Sequence, residues 1–323
     1  FRHANVRHVE NSKHILSTIS LESRRLFLEL ADELNFNLKT CGLMMLCQTE
    51  AGLEEEAEVA SMAAEVGVQA EVCNAGRVRE LDPEVRMDVV GGVWFEQDCH
   101  LDPLEFMEEL RRGIREREGT FLDDEAKDFI RQGNQLTAVE TSKGERLKAD
   151  WFVLAGGAWT PEMTHQLGLR LPMQGGKGYS LTLKNPTELP RLCSLLKEAR
   201  VAVTPMGEKL RVGGTMEICG TDLSVSHKRV QGIIESFCRF FSAFKESDFE
   251  GIEPWSGLRP CTPDGLPSIG PIPGMQNATV ATGHAMLGLS LGPVTGKLVT
   301  DLITQGKPEL EVDLLKLAPE RFG

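Results

Sequence analysis

The sequence predicts a fold of the α/β plus α+β class, because two kinds of pattern alternate along it. Two segments, at 151–160 and 278–303, run from an apolar strand through glycines into a helix, as in α/β folds. Stretches such as 136–141 and 178–183 alternate apolar and polar residues, which is typical of antiparallel strands. At 323 residues the chain is long enough for one large domain or two ordinary ones.

The first 118 residues are predicted to alternate between helices and short strands. Ile15, Ile19 and Leu26 are spaced for the buried face of a long helix, and Asp102-Pro103 is a typical helix start. The pattern predicts helices at 11–34, 53–66, 75–81 and 104–118, and strands at 42–47, 68–72 and 89–95.

The remaining elements are predicted in the same way. Three alternating segments indicate a small antiparallel meander, and Met206-Gly207 indicates the turn of a hairpin. The predicted strands are 126–130, 136–141, 145–149, 151–155, 178–183, 200–204, 210–213 and 278–282, and the predicted helices are 230–241 and 292–303.

Composition excludes several classes of protein. The net charge of −13 argues against a nucleic-acid-binding protein. No apolar run approaches the roughly 18 residues of a membrane span. The eight cysteines have no C-x-x-C spacing and the seven histidines no metal-ligand spacing, so we expect no metal site. We expect reduced, mostly buried thiols in a cytoplasmic protein, with peripheral contact with a membrane left open.

The stretch 255–296 carries the densest pattern. Arg259 precedes a proline and is therefore expected in extended backbone, and Pro263-Asp264-Gly265 is typical of a tight turn. Gly292-Pro293 predicts a helix start. Strand, glycine loop and helix start would place free backbone N–H groups and a positive dipole end together, which suits an electron-rich planar or anionic ligand. A guanidinium nearby could pair with a carboxylate through two hydrogen bonds.

These residues also carry a resemblance to a known family. G-L-R-P-x-T-P-D-G-x-P-x-I-G-P, followed by G-H-x-x-L-G-L-x-L-x-P-x-T-G, resembles the C-terminal part of FAD-dependent amino-acid oxidoreductases: D-amino acid dehydrogenases, glycine oxidase and their relatives. A-G-G-A-W at 155–159 is similar to the A-G-A-W motif that lies beside FAD in this family. The segment 213–217 resembles its G-G-T-x-E.

The resemblance implies FAD as the cofactor and a Rossmann-like FAD-binding domain with an antiparallel-sheet substrate domain. The fingerprint for dinucleotide phosphates, G-x-G-x-x-G, does not occur in the sequence, although it lies at the extreme N-terminus in the family. We therefore expect an incomplete FAD-binding domain that lacks its N-terminal segment, through a partial gene, a cleavage or a separate chain. Exposed apolar faces would then favour a homo-oligomer or repacked early helices. The predicted segments are 1–40, 89–165 and 255–323 for the FAD-binding domain, and 41–88 and 166–254 for the substrate domain.

The resemblance also implies roles for single residues. Arg259 would clamp the substrate's carboxylate, Tyr179 would line the substrate pocket, and His284 would approach the flavin and is a candidate proton acceptor. The residues expected to contact FAD are Ala155, Gly156, Gly157, Trp159, Gly257, Gly283, His284, Met286, Leu287, Gly288 and Leu289.

Three further positions are interpreted with the same resemblance. Val201 or Ala202 stands where glycine-oxidising relatives carry a tyrosine that faces the substrate. Cys261 does not fall on the position that binds flavin covalently in sarcosine-oxidising relatives, so we expect it to pack. His100 is expected to be a hydrogen-bonded structural residue.

Three functions follow from these expectations. The first is oxidation of a D-amino acid, glycine or another small amine by hydride transfer to the flavin, with oxygen, a quinone or an electron-transfer partner as the acceptor. The second is oxidation of a 2-hydroxy acid or glycerol phosphate on the same fold. The third is a non-catalytic substrate domain that does not hold FAD alone.

Overall fold

The computed structural model of the protein describes residues 5–322, which form seven α-helices and fourteen strands. The helices are α1 (Val6–Glu33), α2 (Glu50–Ala64), α3 (Ala75–Leu81), α4 (Pro103–Glu116), α5 (Thr160–Gln166), α6 (His227–Phe240) and α7 (Gly292–Gln305). The strands are β1 (Leu43–Cys47), β2 (Glu71–Asn74), β3 (Gly91–Phe95), β4 (Ala126–Gln132), β5 (Gln135–Thr141), β6 (Arg146–Leu147), β7 (Phe152–Leu154), β8 (Gln174–Leu183), β9 (Cys193–Leu196), β10 (Val201–Met206), β11 (Lys209–Ile218), β12 (Trp255–Cys261), β13 (Ser268–Pro271) and β14 (Ala278–Thr282).

Eight strands form the largest sheet, in the order β12-β8-β11-β10-β9-β1-β3-β2. All neighbours pair antiparallel except β1 and β9. One face of this sheet is buried: Leu181, Val203 and Val212 pack there against Phe237 of α6. Because side chains alternate between faces along a strand, the residues in between point to the other face of the sheet.

A second, three-stranded sheet has the order β13-β14-β7, with β14 parallel to β7 and antiparallel to β13. Ile15 and Ile19 of α1 pack with Val294 and Leu298 of α7 in one apolar cluster beside this sheet. The third sheet, β4-β5-β6, is the small antiparallel meander that the alternation predicts.

Most predicted elements are confirmed, and the differences lie at their ends. The helix 75–81 has the predicted bounds, and Asp102 caps α4 by accepting a 2.9 Å hydrogen bond from the backbone N–H of Leu104. The predicted strand 68–72 instead occupies 71–74, and β8 begins at 174 because three glycines there pair with neighbouring strands despite their low strand propensity. Strands β9, β12 and β13 were not predicted, although Arg259 on β12 was expected in extended backbone.

The sheets do not follow the predicted domain segments at two places. Strands β3 and β12 belong to the eight-stranded sheet, although 89–165 and 255–323 were assigned to the FAD-binding domain. Hydrogen-bond pairing with β1 and with β8, rather than position in the sequence, decides where these strands lie.

Residues 5–322 include all eight cysteines and all seven helices. The eight cysteines are free, as expected, but only three are buried and five are half-buried. The expectation that most of the thiols are buried is therefore wrong. No helix within residues 5–322 has the length and apolar character needed to cross a bilayer.

Candidate functional site

The site begins where β7 and β14 end. These strands are parallel, with Leu154 opposite Val280, so their carboxyl ends lie at the same edge of the sheet. The segments that follow them, 155–159 and 283–289, therefore lie side by side. Thr282 joins the two, since its Oγ1 donates to the carbonyl oxygen of Gly157 at 3.1 Å.

The segment after β14 is held in a conformation that glycine permits. Gly283 has a φ of 79°, and a Cβ there would lie 2.6 Å from Thr262 Cγ2. Ala285, which is not a glycine, also adopts a positive φ of 47°. A non-glycine residue in this region marks local backbone strain, and such strain is often found at functional sites.

Both of these segments expose apolar side chains. Residues 286–290 are all exposed, with Met286 at 69%. Trp159 in the neighbouring segment is also exposed, and Gly157 adopts a φ of 57°. The residues of these segments that are expected to contact FAD follow two neighbouring strand ends, and their role in binding stays a prediction: Ala155, Gly156, Gly157, Trp159, Gly283, Met286, Leu287, Gly288 and Leu289.

His284 lies in the second segment, but its imidazole is buried. Its Nε2 is 2.9 Å from Thr295 Oγ1, and burial lowers its pKa to about 4. The ring is therefore neutral at neutral pH. An isolated β-bridge between Cys261 and His284 connects this segment to β12.

The N-terminus of α7 is less open than the sequence predicts. The backbone N–H of Val294 donates to Ser23 Oγ at 3.4 Å, and that hydroxyl donates to the carbonyl oxygen of Ser290 at 2.6 Å. One of the N–H groups that was expected to be free is therefore occupied by α1.

Arg259 lies on β12, whose neighbours include the 157–159 and 285–287 turns. Its strand pairs with β8, so that Arg259 is opposite Gly176 and Gly257 is opposite Gly178. A Cβ on Gly178 would lie 2.5 Å from Arg259 Nη2 and 2.6 Å from its Cζ. The guanidinium therefore lies directly against the bare backbone of Gly178.

The guanidinium of Arg259 is half-buried and has no carboxylate partner among residues 5–322. Its Nη1 donates to the carbonyl oxygen of Thr215 at 3.0 Å. Desolvation lowers its pKa below the ordinary value for arginine, which leaves the group charged at neutral pH. A desolvated cation without a counter-ion is suited to bind an anion.

Thr215 holds this guanidinium from a strained position. It has a φ of 70°, which is rare for a β-branched residue, and it lies where the pairing of β11 with β8 is interrupted between Gly214 and Glu217. The irregularity turns the Thr215 carbonyl toward Arg259.

Two residues that sequence reasoning missed lie beside Arg259. Trp255 is opposite Ser180, and its ring covers Gly257, where a Cβ would lie 2.8 Å from Trp255 Cζ2. Arg211 Cζ lies 5.2 Å from the centre of this ring, and its Nε and Nη2 donate to Ser180 Oγ at 3.1 and 2.9 Å. Gly257, expected to contact FAD, therefore has its outward face covered by Trp255.

The expected role of Tyr179 in the pocket is wrong, because this residue points to the opposite face of β8. Its neighbour Gly178 faces Arg259, and successive residues of a strand face opposite sides. Tyr179 is 2% exposed in the core, and its hydroxyl donates to Glu217 Oε2 at 3.0 Å.

The structure also places the three other interpreted positions. Ala202 pairs with Gly213 on the face that carries Arg259, whereas Val201 is buried in the core. Cys261 packs against Gly176, with its Sγ donating to the carbonyl oxygen of Arg259 at 3.3 Å.

His100 lines a separate cleft of about 530 Å³. Its Nδ1 is buried without a hydrogen-bond partner in the described part of the chain, so the expectation of a hydrogen-bonded ring is wrong for this nitrogen. Burial and the nearby charge of Lys39 lower its pKa to about 4.

Comparisons with known proteins match this arrangement. The family model described as "DAO: FAD dependent oxidoreductase" matches residues 3–302. A D-amino acid dehydrogenase of Methylobacterium nodulans is 35% identical, over 83% of this chain and 65% of the relative. One of Granulibacter bethesdensis is 31% identical, over 93% of this chain and 72% of the relative. The crystal structure of glycine oxidase from Geobacillus kaustophilus superposes with a TM-score of 0.83 at 25% identity, over 94% of this chain and 82% of that one.

These matches confirm the resemblance and the fold class, and they confirm that FAD is the expected cofactor. The chain spans about two thirds of the length of these curated relatives.

Proposed function

Because the chain belongs to the family of FAD-dependent oxidoreductases, we propose that its function is the oxidation of a small amino acid, with Arg259 holding the substrate's α-carboxylate. The observation that carries this proposal is the half-buried guanidinium of Arg259. It has no carboxylate partner among the described residues and lies on a strand next to the turns that follow β7 and β14.

The exposed residues of 155–159 and 283–289 fit the flavin part of FAD. Gly157 leaves backbone uncovered by side chains, and Trp159 and Met286 offer apolar contact area. We assign these segments to the flavin because their motifs resemble those expected beside the cofactor in this family. When bound, FAD would supply the acceptor for the two electrons and the hydrogen of the substrate.

The protein's own contribution would be orientation and electrostatics. A bidentate pair between Arg259 and the α-carboxylate would fix one end of the substrate, and the absence of a side chain at Gly178 lets the guanidinium lie close to the sheet. Backbone N–H groups of the 283–289 segment would stabilise negative charge on the cofactor. His284 is neutral and bonded to Thr295, so it would contribute packing and a hydrogen bond rather than charge.

D-Amino acids are the favoured substrates within this proposal. Two curated relatives more than 30% identical to the chain are named D-amino acid dehydrogenase, and a similar solved structure is a glycine oxidase. The domain division, the quinone or electron-transfer acceptor, the homo-oligomer and the cytoplasmic, membrane-peripheral location stay predictions.

The experiment compares two substrates in the full-length protein loaded with FAD. D-Alanine and D-lactate differ only in the amine and the hydroxyl, so Arg259 would hold the carboxylate of both. We expect anaerobic addition of D-alanine, but not D-lactate, to bleach the visible flavin absorption. Bleaching by D-lactate alone would favour a 2-hydroxy acid enzyme, and failure to retain FAD would favour a non-catalytic domain.

A further inference from the structure

Resting on the proposed function, we propose that Arg211 is a second anion-binding residue beside Arg259. The preferred substrate is then an amino acid whose side chain carries a carboxylate. One guanidinium holds the α-carboxylate and the other holds the side-chain carboxylate.

Arg211 and Arg259 lie on the same face of the eight-stranded sheet. Arg259 is opposite Gly176, and Arg211 is opposite Thr182, with β8 between the two arginine-bearing strands. Directly opposed residues in antiparallel strands point to the same side of the sheet. Along one strand, every second residue points to that side. Both side chains therefore leave the sheet on the side away from the core that contains Tyr179.

The two guanidiniums lie over neighbouring positions of that face. Arg259 rests on Gly178, and Arg211 bonds to the hydroxyl of Ser180. Two positions along a strand are about 6.7 Å apart. A short aliphatic chain with a carboxylate at each end spans such a separation.

Arg211 has spare donors and no ion pair among the described residues. Its two hydrogen bonds within the described chain both go to the neutral Ser180 Oγ, although a guanidinium carries five N–H donors. Asp102 interacts with the Arg211 guanidinium electrostatically, but the two groups are too far apart for an ion pair. Asp102 instead caps α4. The group is half-buried, and no ion pair in the described chain compensates its desolvation.

Trp255 completes the surface between the two arginines. Its indole covers Gly257, which is opposite Gly178, and stacks with the guanidinium of Arg211. The ring is 60% exposed and so offers an apolar surface to the aliphatic part of a dicarboxylate. The stacking also limits the orientations that Arg211 adopts.

The experiment measures binding of two non-oxidisable ligands to the FAD-loaded full-length protein by titration calorimetry at one fixed salt concentration. Glutarate has two carboxylates, and valerate has a methyl group in place of one of them. We expect glutarate to bind roughly tenfold or more tightly than valerate, as for one additional charge-assisted pair. Arg211→Met should bring this ratio close to one, whereas Arg259→Met should weaken both ligands.

Two results would overturn the proposal. One is equal affinity of the wild-type protein for glutarate and valerate. This measurement does not depend on whether any variant folds. The other is an equal loss of both affinities in Arg211→Met and in the milder Arg211→Lys, because Arg211 would then act only by holding Trp255. A different result, unchanged affinities in Arg259→Met, would instead refute the carboxylate clamp of the proposed function.

Discussion

Replacing Gly178 by alanine should displace Arg259 without disturbing the fold. The new Cβ would lie 2.6 Å from Arg259 Cζ, which is too close for two carbon atoms, so the guanidinium must move. The side chain of Arg259 is flexible and its end is free to shift, whereas the backbone of β8 is paired on both sides. The change should therefore affect ligand binding much more than stability.

The magnitude follows from the bond that is lost. A charge-assisted hydrogen bond contributes about 1.5–3 kcal/mol, which corresponds to a roughly 10- to 100-fold weaker affinity for an α-carboxylate. Valerate binding to the FAD-loaded full-length protein measures this loss, and thermal unfolding measures stability. Gly232→Ala is the matched control, since a Cβ at this exposed position in α6 meets no atom within 4 Å. An unchanged valerate affinity in Gly178→Ala, with Gly232→Ala equally unchanged, would refute the placement of the clamp.

Three further predictions concern stability and its pH dependence. The pKa of His284 is about 4 in the folded protein and about 6.5 in the unfolded chain, so only the unfolded chain gains this proton as the pH falls through this range. Between pH 6.5 and 4, the free energy of unfolding of the wild type, measured with denaturant, should therefore fall by up to about 3 kcal/mol more than that of His284→Gln. An equal fall in both proteins would contradict this. Arg321→Met should lower the free energy of unfolding by about 3–5 kcal/mol, because it leaves the buried Asp264 without the bonds from Nε and Nη2 at 2.8 and 3.0 Å. The control Arg112→Met removes only exposed ion pairs and should change this free energy by less than about 1 kcal/mol; similar losses in both variants would be evidence against a structural role for the buried pair. Tyr179→Phe should lower stability by about 1–3 kcal/mol and leave valerate affinity unchanged, whereas weaker binding at unchanged stability would restore Tyr179 to the pocket.

The sequence predicted those parts of the site that depend on short segments. Arg259 stands in a motif of fixed spacing, and the resemblance to the family implied that 155–159 and 283–289 both lie beside FAD. The strand, glycine loop and helix of each segment follow from local backbone preferences, whereas the parallel pairing of β7 with β14 was not predicted.

The parts that were missed depend on pairing between distant segments. The alternation along 178–183 fixes which residues share a face, but it does not say which face is the core, and Tyr179 was therefore placed on the wrong side. Arg211 joins the site only because β11 pairs with β8 in one register. Likewise, Ser23 caps Val294 across 271 positions of sequence, which no local pattern indicates.

Arg259 should hold the α-carboxylate of the substrate, and removing the guanidinium and the carboxylate separately and together measures the interaction between them. D-Alanine and ethylamine differ only by this carboxylate, and their anaerobic reduction of the bound flavin gives an apparent affinity for each. We expect the wild-type protein to prefer D-alanine by roughly 10- to 100-fold and Arg259→Met to lose this preference. A preference for D-alanine that persists unchanged in Arg259→Met would contradict it.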